Sequence, residues 1–122
     1  MKVCCSADGL EETVIGYNVA DAKLKIDTTR TGANQHLGKT VTGTLKKSVE
    51  SAPMKLRPNE PLKLRVFLDR SIVEVFANDG RLALSRVIYP SKGSTGIQLY
   101  AKGGAATVKS VAVWDIMPTN PY

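Results

Sequence analysis

Residues 64–81 read LRVFLDRSIVEVFANDGR, and they contain two short runs in which apolar and polar side chains alternate. Alternation over about four to eight residues is typical of β-strands that bury one face. Asp69-Arg70 separates the runs, and Asn78-Asp79-Gly80 follows the second; residues of these types favour tight turns. The stretch therefore predicts two strands of an antiparallel meander, joined by a hairpin loop at Asp69-Arg70.

The same pattern recurs along the chain, with turn residues such as Ala7-Asp8-Gly9 between the runs. Strands are predicted at 3–6, 11–17, 23–27, 62–68, 71–77, 81–89, 95–101 and 106–116. Residues 28–61 are rich in Gly, Thr, Ser, Lys and Pro and predict a long irregular region with at most one short strand. Only residues 45–54 could be argued to be helical, and Pro53 limits that interpretation. We expect an all-β, antiparallel β-sandwich of the jelly-roll or concanavalin-like kind.

Length and composition indicate a single globular domain over residues 1–122. No apolar run is long enough to span a bilayer, and the opening residues do not resemble a signal peptide, so no membrane partner is expected. The compartment stays undetermined. The formal net charge of +6 suggests a basic nucleic-acid-binding domain as one alternative. However, the longest basic run is Lys46-Lys47, whereas nucleic-acid surfaces need clustered charge with interleaved aromatic residues.

The sequence gives little support for a metal site, a cofactor site or a catalytic triad. The adjacent Cys4 and Cys5 could bridge each other only with strained geometry, so we expect one thiol in the core and the other exposed. His36 is the single histidine, which makes a zinc site and a Ser-His-Asp triad poor interpretations. No metal and no cofactor are expected.

Three carboxylates, Asp69, Glu74 and Asp79, stand five residues apart and raise the question of glycosidase chemistry. Paired catalytic carboxylates lie about 5–9.5 Å apart. Asp69 and Asp79 lie at opposite ends of one strand, about 20 Å apart. A loop at Asp69-Arg70 would place Glu74 opposite Arg65, as a cross-strand ion pair. We therefore expect architectural roles for these acids and no catalytic residue in the chain.

An ordered series of blocks resembles the C-terminal β-sandwich of glycoside hydrolase family 32, which comprises invertases, inulinases, levanases and other β-fructofuranosidases. The blocks are CSADGLEETVIGYN (5–18), KLKIDTTRTG (23–32), LRVFLDRSIVEVFANDGR (64–81), SRVIYP (85–90), GIQLYAKGG (96–104) and SVAVWDI (110–116). The resemblance covers nearly the whole chain and is loose between His36 and Leu56.

The resemblance implies a supporting role. In this family catalysis belongs to an N-terminal five-bladed propeller, with Asn-Asp-Pro, Arg-Asp-Pro and Glu-Cys blocks that this sequence lacks. We expect a non-catalytic module that stabilises the propeller and acts on sucrose or fructan only through the parent enzyme. Family sandwiches usually begin upstream of the position of Met1, so we also expect the first strand or strands to be missing. The VCCS strand (3–6), or its former neighbour, would then be an exposed edge, and two copies could pair through that edge or through the sheet face that the propeller otherwise covers.

A second alternative is a free-standing carbohydrate-binding module that stacks sugars on exposed aromatic rings. Its candidate residues are Tyr17, Tyr89, Tyr100 and Trp114. The pattern around Trp114 argues against it, because Trp114 shares a predicted strand face with Ala112 and Ile116 and is expected in the core. No sugar-contacting residue follows from the sequence.

Overall fold

The computed structural model describes residues 1–32, 39–40, 43–44 and 47–117, with backbone alone at 39–40 and 43–44. Every regular element in these ranges is a β-strand, and no helix there is long and apolar enough to cross a membrane. His36 lies outside the described residues. The strands are β1 (Lys2–Cys5), β2 (Thr13–Asn18), β3 (Lys23–Asp27), β4 (Lys39–Thr40), β5 (Gly43–Thr44), β6 (Val49–Pro53), β7 (Leu64–Asp69), β8 (Ile72–Ala77), β9 (Leu82–Val87) and β10 (Gly96–Gln98).

Two antiparallel sheets form the sandwich. The first has five strands in the order β10-β1-β2-β3-β6, and the second has three strands in the order β7-β8-β9. Strands β4 and β5 pair separately with each other. Strand β9 lies against β3 and β6, which brings the two sheets face to face. The prediction of an all-β, antiparallel sandwich is confirmed.

The core lies between the sheets and follows from the alternation along each strand. Ile15, Leu24 and Ile26 of the five-stranded sheet are fully buried, and they pack in one cluster with Val73 and Val75 of β8. Burying an aliphatic side chain of this size contributes about 1.5–3 kcal/mol. This shared cluster therefore holds the sheets together.

The predicted turns are present. At Asn78-Asp79-Gly80 the φ angles are 46°, 60° and 86°, the left-handed conformation that residues of these types tolerate best. In the earlier turn Gly9 has φ 71°, and the Asp8 carboxylate accepts hydrogen bonds from the Ser6 hydroxyl and the Leu10 amide. Both hairpins are thus set by local side-chain chemistry.

The predicted register of the β7–β8 hairpin is wrong. Asp69 pairs with Ile72, so the loop is Arg70-Ser71, with Arg70 at φ 49°. Arg65 consequently lies opposite Phe76, and Glu74 lies opposite Phe67. No ion pair joins Arg65 to Glu74 among the described residues. The two registers differ by two residues and keep the same side chains on each face, so alternation alone could not choose between them.

The region from 28 to 61 contains more strand than predicted. It holds β4 and β5, each two residues long, and the five-residue β6. Strand β6 occupies most of the stretch that could have been helical; residues 45–46 lie outside the described ranges. Strand β6 forms because it completes the five-stranded sheet beside β3, a long-range pairing that composition does not reveal.

The predicted strand over residues 106–116 is also wrong. Residues 99–117 form no strand, and each of them is exposed. Trp114, expected in the core, has 78% of its surface exposed. A strand needs a neighbour to pair with, and within the described chain this segment has none.

Strand β1 is not an edge, contrary to the prediction for VCCS. It lies between β2 and the short β10, whose length is three residues rather than the predicted seven. The register with β10 shifts between Lys2 and Cys5, where Cys4 has φ 51°. Both cysteines are free: Cys5 is buried, and Cys4 is half-buried against the core rather than exposed. Burial raises the pKa of both thiols.

Candidate domain-docking surface

The outward-facing sides of the two sheets differ in character. The outer side of the five-stranded sheet is polar, with Lys2, Lys23 and Lys25 among its side chains. The outer side of the three-stranded sheet, called here the outer face, has three rows of three residues. These rows are Asp69-Ile72-Val87, Phe67-Glu74-Ser85 and Arg65-Phe76-Ala83.

Apolar side chains dominate the outer face. Phe67, Ile72 and Val87 are 37%, 45% and 42% exposed. The rings of Phe67 and Phe76 meet edge to face, with centroids 5.8 Å apart and an interplanar angle of 84°. Such a pair contributes about 0.5–1.5 kcal/mol beyond its buried area. Arg65 and Asp69 lie at the edge of this apolar patch and Glu74 lies in its middle row, and an exposed apolar patch of this kind is typical of a surface that another protein domain covers.

The hydrogen-bonding network of Glu60 fixes one end of the outer face. Its carboxylate accepts hydrogen bonds from the Arg57 amide at 2.7 Å, the Asn78 side-chain amide at 3.0 Å and the Arg81 guanidinium at 2.8 Å. The Arg57 amide contributes most and lowers the pKa of Glu60 to about 2, with Arg81 and Asn78 adding to the shift. Asn78 also receives the Lys63 amide on its side-chain oxygen, so the start of β7 and the turn after β8 are joined.

A second carboxylate, Glu11, is buried and connects three parts of the chain. It accepts hydrogen bonds from the Gly32 amide at 2.6 Å, the Ser91 amide at 3.0 Å and the Ser94 hydroxyl at 2.5 Å. Desolvation alone would raise its pKa, but these hydrogen bonds outweigh desolvation and lower it. Glu11 falls in the strand predicted over residues 11–17, and the local pattern there gives no sign of this role. The backbone amides that donate to its carboxylate lie about 20 and 80 residues away in the sequence, and no local sequence pattern links them to Glu11.

Further ion pairs hold the sheets in place. Glu12 lies between Lys2 at 2.7 Å and Arg30 at 2.9 Å. Arg86 of β9 contacts Glu50 of β6 at 2.7 Å and so bridges the two sheets. The basic side chains in these pairs bind carboxylates within the domain and are not clustered on one surface.

The three sequence-predicted carboxylates do not converge. Asp79 lies beside Lys63 at the start of β7, with 3.3 Å between their charged atoms, and Asp69 ends that six-residue strand. At the usual rise per residue the two acids are roughly 17–20 Å apart, too far for a catalytic pair. Glu74 stands on the outer face between Phe67 and Ser85. Among the described residues, no group of three or more His, Cys, Asp or Glu side chains could hold a metal ion.

The four aromatic candidates for sugar binding are scattered. Tyr17 is half-buried and donates its hydroxyl to the Met54 carbonyl at 3.0 Å. Tyr89 is half-buried. Tyr100 is exposed, and the Lys2 ammonium lies 5.4 Å from its ring centre. Trp114 lies in the exposed segment after β10. The structure does not bring these rings together into one platform.

The profile of the C-terminal part of glycosyl hydrolases family 32 matches residues 1–115. The chain belongs to this family. A levanase from Bacillus subtilis is 39% identical over 113 residues, which cover 90% of this chain and 16% of the levanase. A raffinose invertase from Escherichia coli is 48% identical over 61 residues, which cover 50% of this chain and 13% of the invertase.

A solved structure of a relative has a similar fold. The crystal structure of an exo-inulinase from Aspergillus awamori matches the family 32 module with a TM-score of 0.64 and 30% identity. The match covers 77% of this chain and 17% of the exo-inulinase. The chain thus spans a small part of the length of its relatives and corresponds to the C-terminal part of this family.

Proposed function

We propose that the family 32 module supports the catalytic domain of a β-fructosidase-type glycoside hydrolase and takes no part in bond cleavage itself. The observation that carries this proposal is the family match over residues 1–115, in a chain whose candidate carboxylates lie far apart. The relatives are named for the hydrolysis of levan, raffinose or inulin. Sucrose or a fructan is accordingly the substrate of the parent enzyme.

The outer face is the surface through which the module docks on the catalytic domain, the five-bladed propeller that the family resemblance implies. Phe67, Ile72 and Val87 are large apolar side chains that remain accessible to solvent in the isolated sandwich. Covering them stabilises the complex by the same burial that stabilises a core. The lysine-bearing side of the five-stranded sheet has no comparable apolar patch and stays in water.

The two alternative functions are less well supported. A nucleic-acid-binding surface needs clustered, available cations, whereas Lys2, Arg30 and Arg81 are each paired with a carboxylate. A carbohydrate-binding module needs a ring platform, and the four aromatic candidates are dispersed. Calorimetric titration of the chain with fructo-oligosaccharides is expected to show no saturable heat at millimolar ligand. Saturable binding would favour a carbohydrate-binding module instead.

The proposed function is tested by exchange of modules. The C-terminal module of the Bacillus subtilis levanase is replaced by this chain, and levan hydrolysis is measured for the chimera, for the levanase without its module and for this chain alone. We expect the chimera to be active and more heat-resistant than the shortened levanase, and the chain alone to release no fructose. Fructose release by the chain alone, or a chimera no more stable than the shortened levanase, would contradict the proposal.

Pairing of two copies through an exposed sheet edge stays a prediction. Because β1 is an interior strand, the edges available in the two large sheets are β10, β6, β7 and β9.

A further inference from the structure

Residues 106–116, called here the free segment, have the pattern of a strand and no strand partner. Val108, Ala112, Trp114 and Ile116 fall on one side of an extended chain, and Val111 and Val113 fall on the other with Lys109 and Asp115. The large apolar side chains of the free segment are 57–78% exposed. An exposed, unpaired and apolar strand sequence recruits a sheet edge.

Strand β7 is the edge best suited to receive the free segment. It is six residues long and contains no proline, whereas β10 has only three residues and β6 ends in Pro53. The edge strand β9 is equally long, but its inward row includes the charged Arg86, which is paired with Glu50 of β6. Its inward side chains Leu64, Val66 and Leu68 are only half-buried, although they pack against the core. The corresponding side chains of the central strand β8 are fully buried. A further strand beside β7 would cover the flank that β7 leaves open to solvent.

Charges fix the direction of pairing. Arg65 and Asp69 lie near the two ends of β7 and point to the outer face. An antiparallel free segment that places Asp115 opposite Arg65 puts Lys109 two residues beyond Asp69, so Asp115 faces an opposite charge directly and Lys109 lies diagonally from one. A parallel segment would place Lys109 near Arg65 and Asp115 near Asp69, and like charges across a strand pair are destabilising. In the antiparallel arrangement Val111 and Val113 extend the apolar outer face beside Phe67.

We propose that the free segment of one copy adds to the β7 edge of a second copy as an antiparallel fourth strand, and that the exchange is reciprocal. In its own copy the segment is exposed along its whole length and covers no part of the sandwich. A reciprocal exchange closes with two-fold symmetry and leaves neither segment exposed. This pairing uses the backbone edge of β7, whereas docking on the catalytic domain uses the side chains of the outer face.

The surface involved is large enough for a stable pair. Each segment contributes a tryptophan, which buries about 150–250 Å². It also contributes several aliphatic side chains and a row of backbone hydrogen bonds. Two such segments together approach the roughly 1,200–2,000 Å² of a standard protein interface.

Trp114 reports directly on the exchange, because it is the one tryptophan of the chain. Sedimentation and tryptophan emission are measured on the full chain over roughly 1–100 µM, a range suited to interfaces of this size. We expect a dimer whose emission is shifted to the blue, and a red shift on dilution that coincides with dissociation. A monomer with blue-shifted, dilution-independent emission would show that the segment folds back on its own sheet. A species with fully solvated Trp114 at all concentrations would equally overturn the proposal.

Charge exchange tests the partner strand. In K109D/D115K both pairs become repulsive, and the dissociation constant is expected to rise about tenfold, because a reciprocal dimer has two directly opposed and two diagonal charge pairs. Adding R65D/D69K to the same chain makes the pairs attractive again and restores the dimer. K102D, a charge change in the exposed stretch before the segment, serves as the control and leaves dissociation unchanged. Unchanged dissociation in K109D/D115K, or failure of the β7 substitutions to restore the dimer, would exclude β7 as the acceptor.

Discussion

At the residue scale, Glu11 and Glu60 connect loops to strands far away in the sequence. Glu11 holds the stretch before β2 to Gly32 and to the loop before β10, and Glu60 joins Arg57, Asn78 and Arg81. Hydrogen bonds from Gly32, Ser91 and Ser94 to the buried, charged Glu11 contribute about 1.5–3 kcal/mol each, more than those between neutral groups. The two carboxylates are thus strong local determinants of loop position.

Replacing Glu11 by Gln is expected to destabilise the domain by about 3 kcal/mol, because one acceptor oxygen becomes a donor and the Ser91 amide, which cannot accept, faces both oxygens. For a domain of this size the melting temperature should fall by roughly 10 °C. Glu74→Gln is the matched control on the exposed outer face. Thermal unfolding that shows equal melting temperatures for the two variants would mean that Glu11 is not an anchor.

Acid should weaken the domain through these same carboxylates. The pKa of Glu60 is lowered from 4.5 to about 2 in the folded chain, and that of Glu11 is lowered as well. A depressed folded pKa contributes stability that is fully present above the unfolded value and is lost as pH falls towards the folded value. The free energy of unfolding, measured by urea titration, should therefore decline between about pH 4.5 and pH 2.

The Glu60→Gln variant separates the contribution of Glu60 to acid sensitivity from general acid unfolding. The variant should be less stable than the original chain above pH 5, and the difference should shrink as pH approaches 2. A stability difference that is independent of pH over this range would rule out Glu60 as a source of the acid sensitivity.

At the element scale, strands with a buried face and local turn signals could be predicted, and register and partners could not. β7 and β8 appear within two residues of their predicted bounds because alternation marks the face that enters the core. Their register was wrong because two pairings that differ by two residues bury the same side chains. The strand predicted over residues 106–116 was wrong because alternation shows only that a segment can form a strand. It does not show which strand the segment would pair with.

Strand β10 gives a prediction about close backbone approach. A Cβ atom on Gly96 would lie 3.0 Å from the Cys5 carbonyl oxygen and 3.1 Å from the Cys5 Cβ, both parts of β1 that cannot easily move. Gly96→Ala should displace β10 and cost about 1–3 kcal/mol. Gly93→Ala is the control, since nothing lies within 4 Å of the added methyl group. Hydrogen exchange at residues 96–98 should accelerate only in Gly96→Ala, and equal protection in both variants would contradict the close packing.

At the scale of the whole molecule, the sequence predicts the family and the sandwich, and the structure adds a candidate docking surface. The absence of the propeller motifs and the wide separation of Asp69 and Asp79 both follow from the sequence. The difference between a polar and an apolar outer side does not, because it depends on which strands share a sheet. Only the observed strand order brings Phe67, Ile72 and Val87 onto one surface.

The proposed docking of the outer face on the catalytic domain is tested most directly by thermal unfolding of the levanase chimera with threonine substitutions. In I72T/V87T the threonines keep β-branched side chains in the strands but remove apolar surface from the outer face. V14T/V49T makes comparable changes on the outer side of the five-stranded sheet. Each pair is also measured in the isolated chain, which gives its effect on the sandwich alone.

We expect I72T/V87T to lower the melting temperature of the chimera by about 5–10 °C, since roughly 2–4 kcal/mol of interface burial is lost. The same pair should change the isolated chain only slightly, and V14T/V49T should have equally small effects in both proteins. If I72T/V87T lowers the melting temperature of the chimera no more than that of the isolated chain, the outer face is not the docking surface.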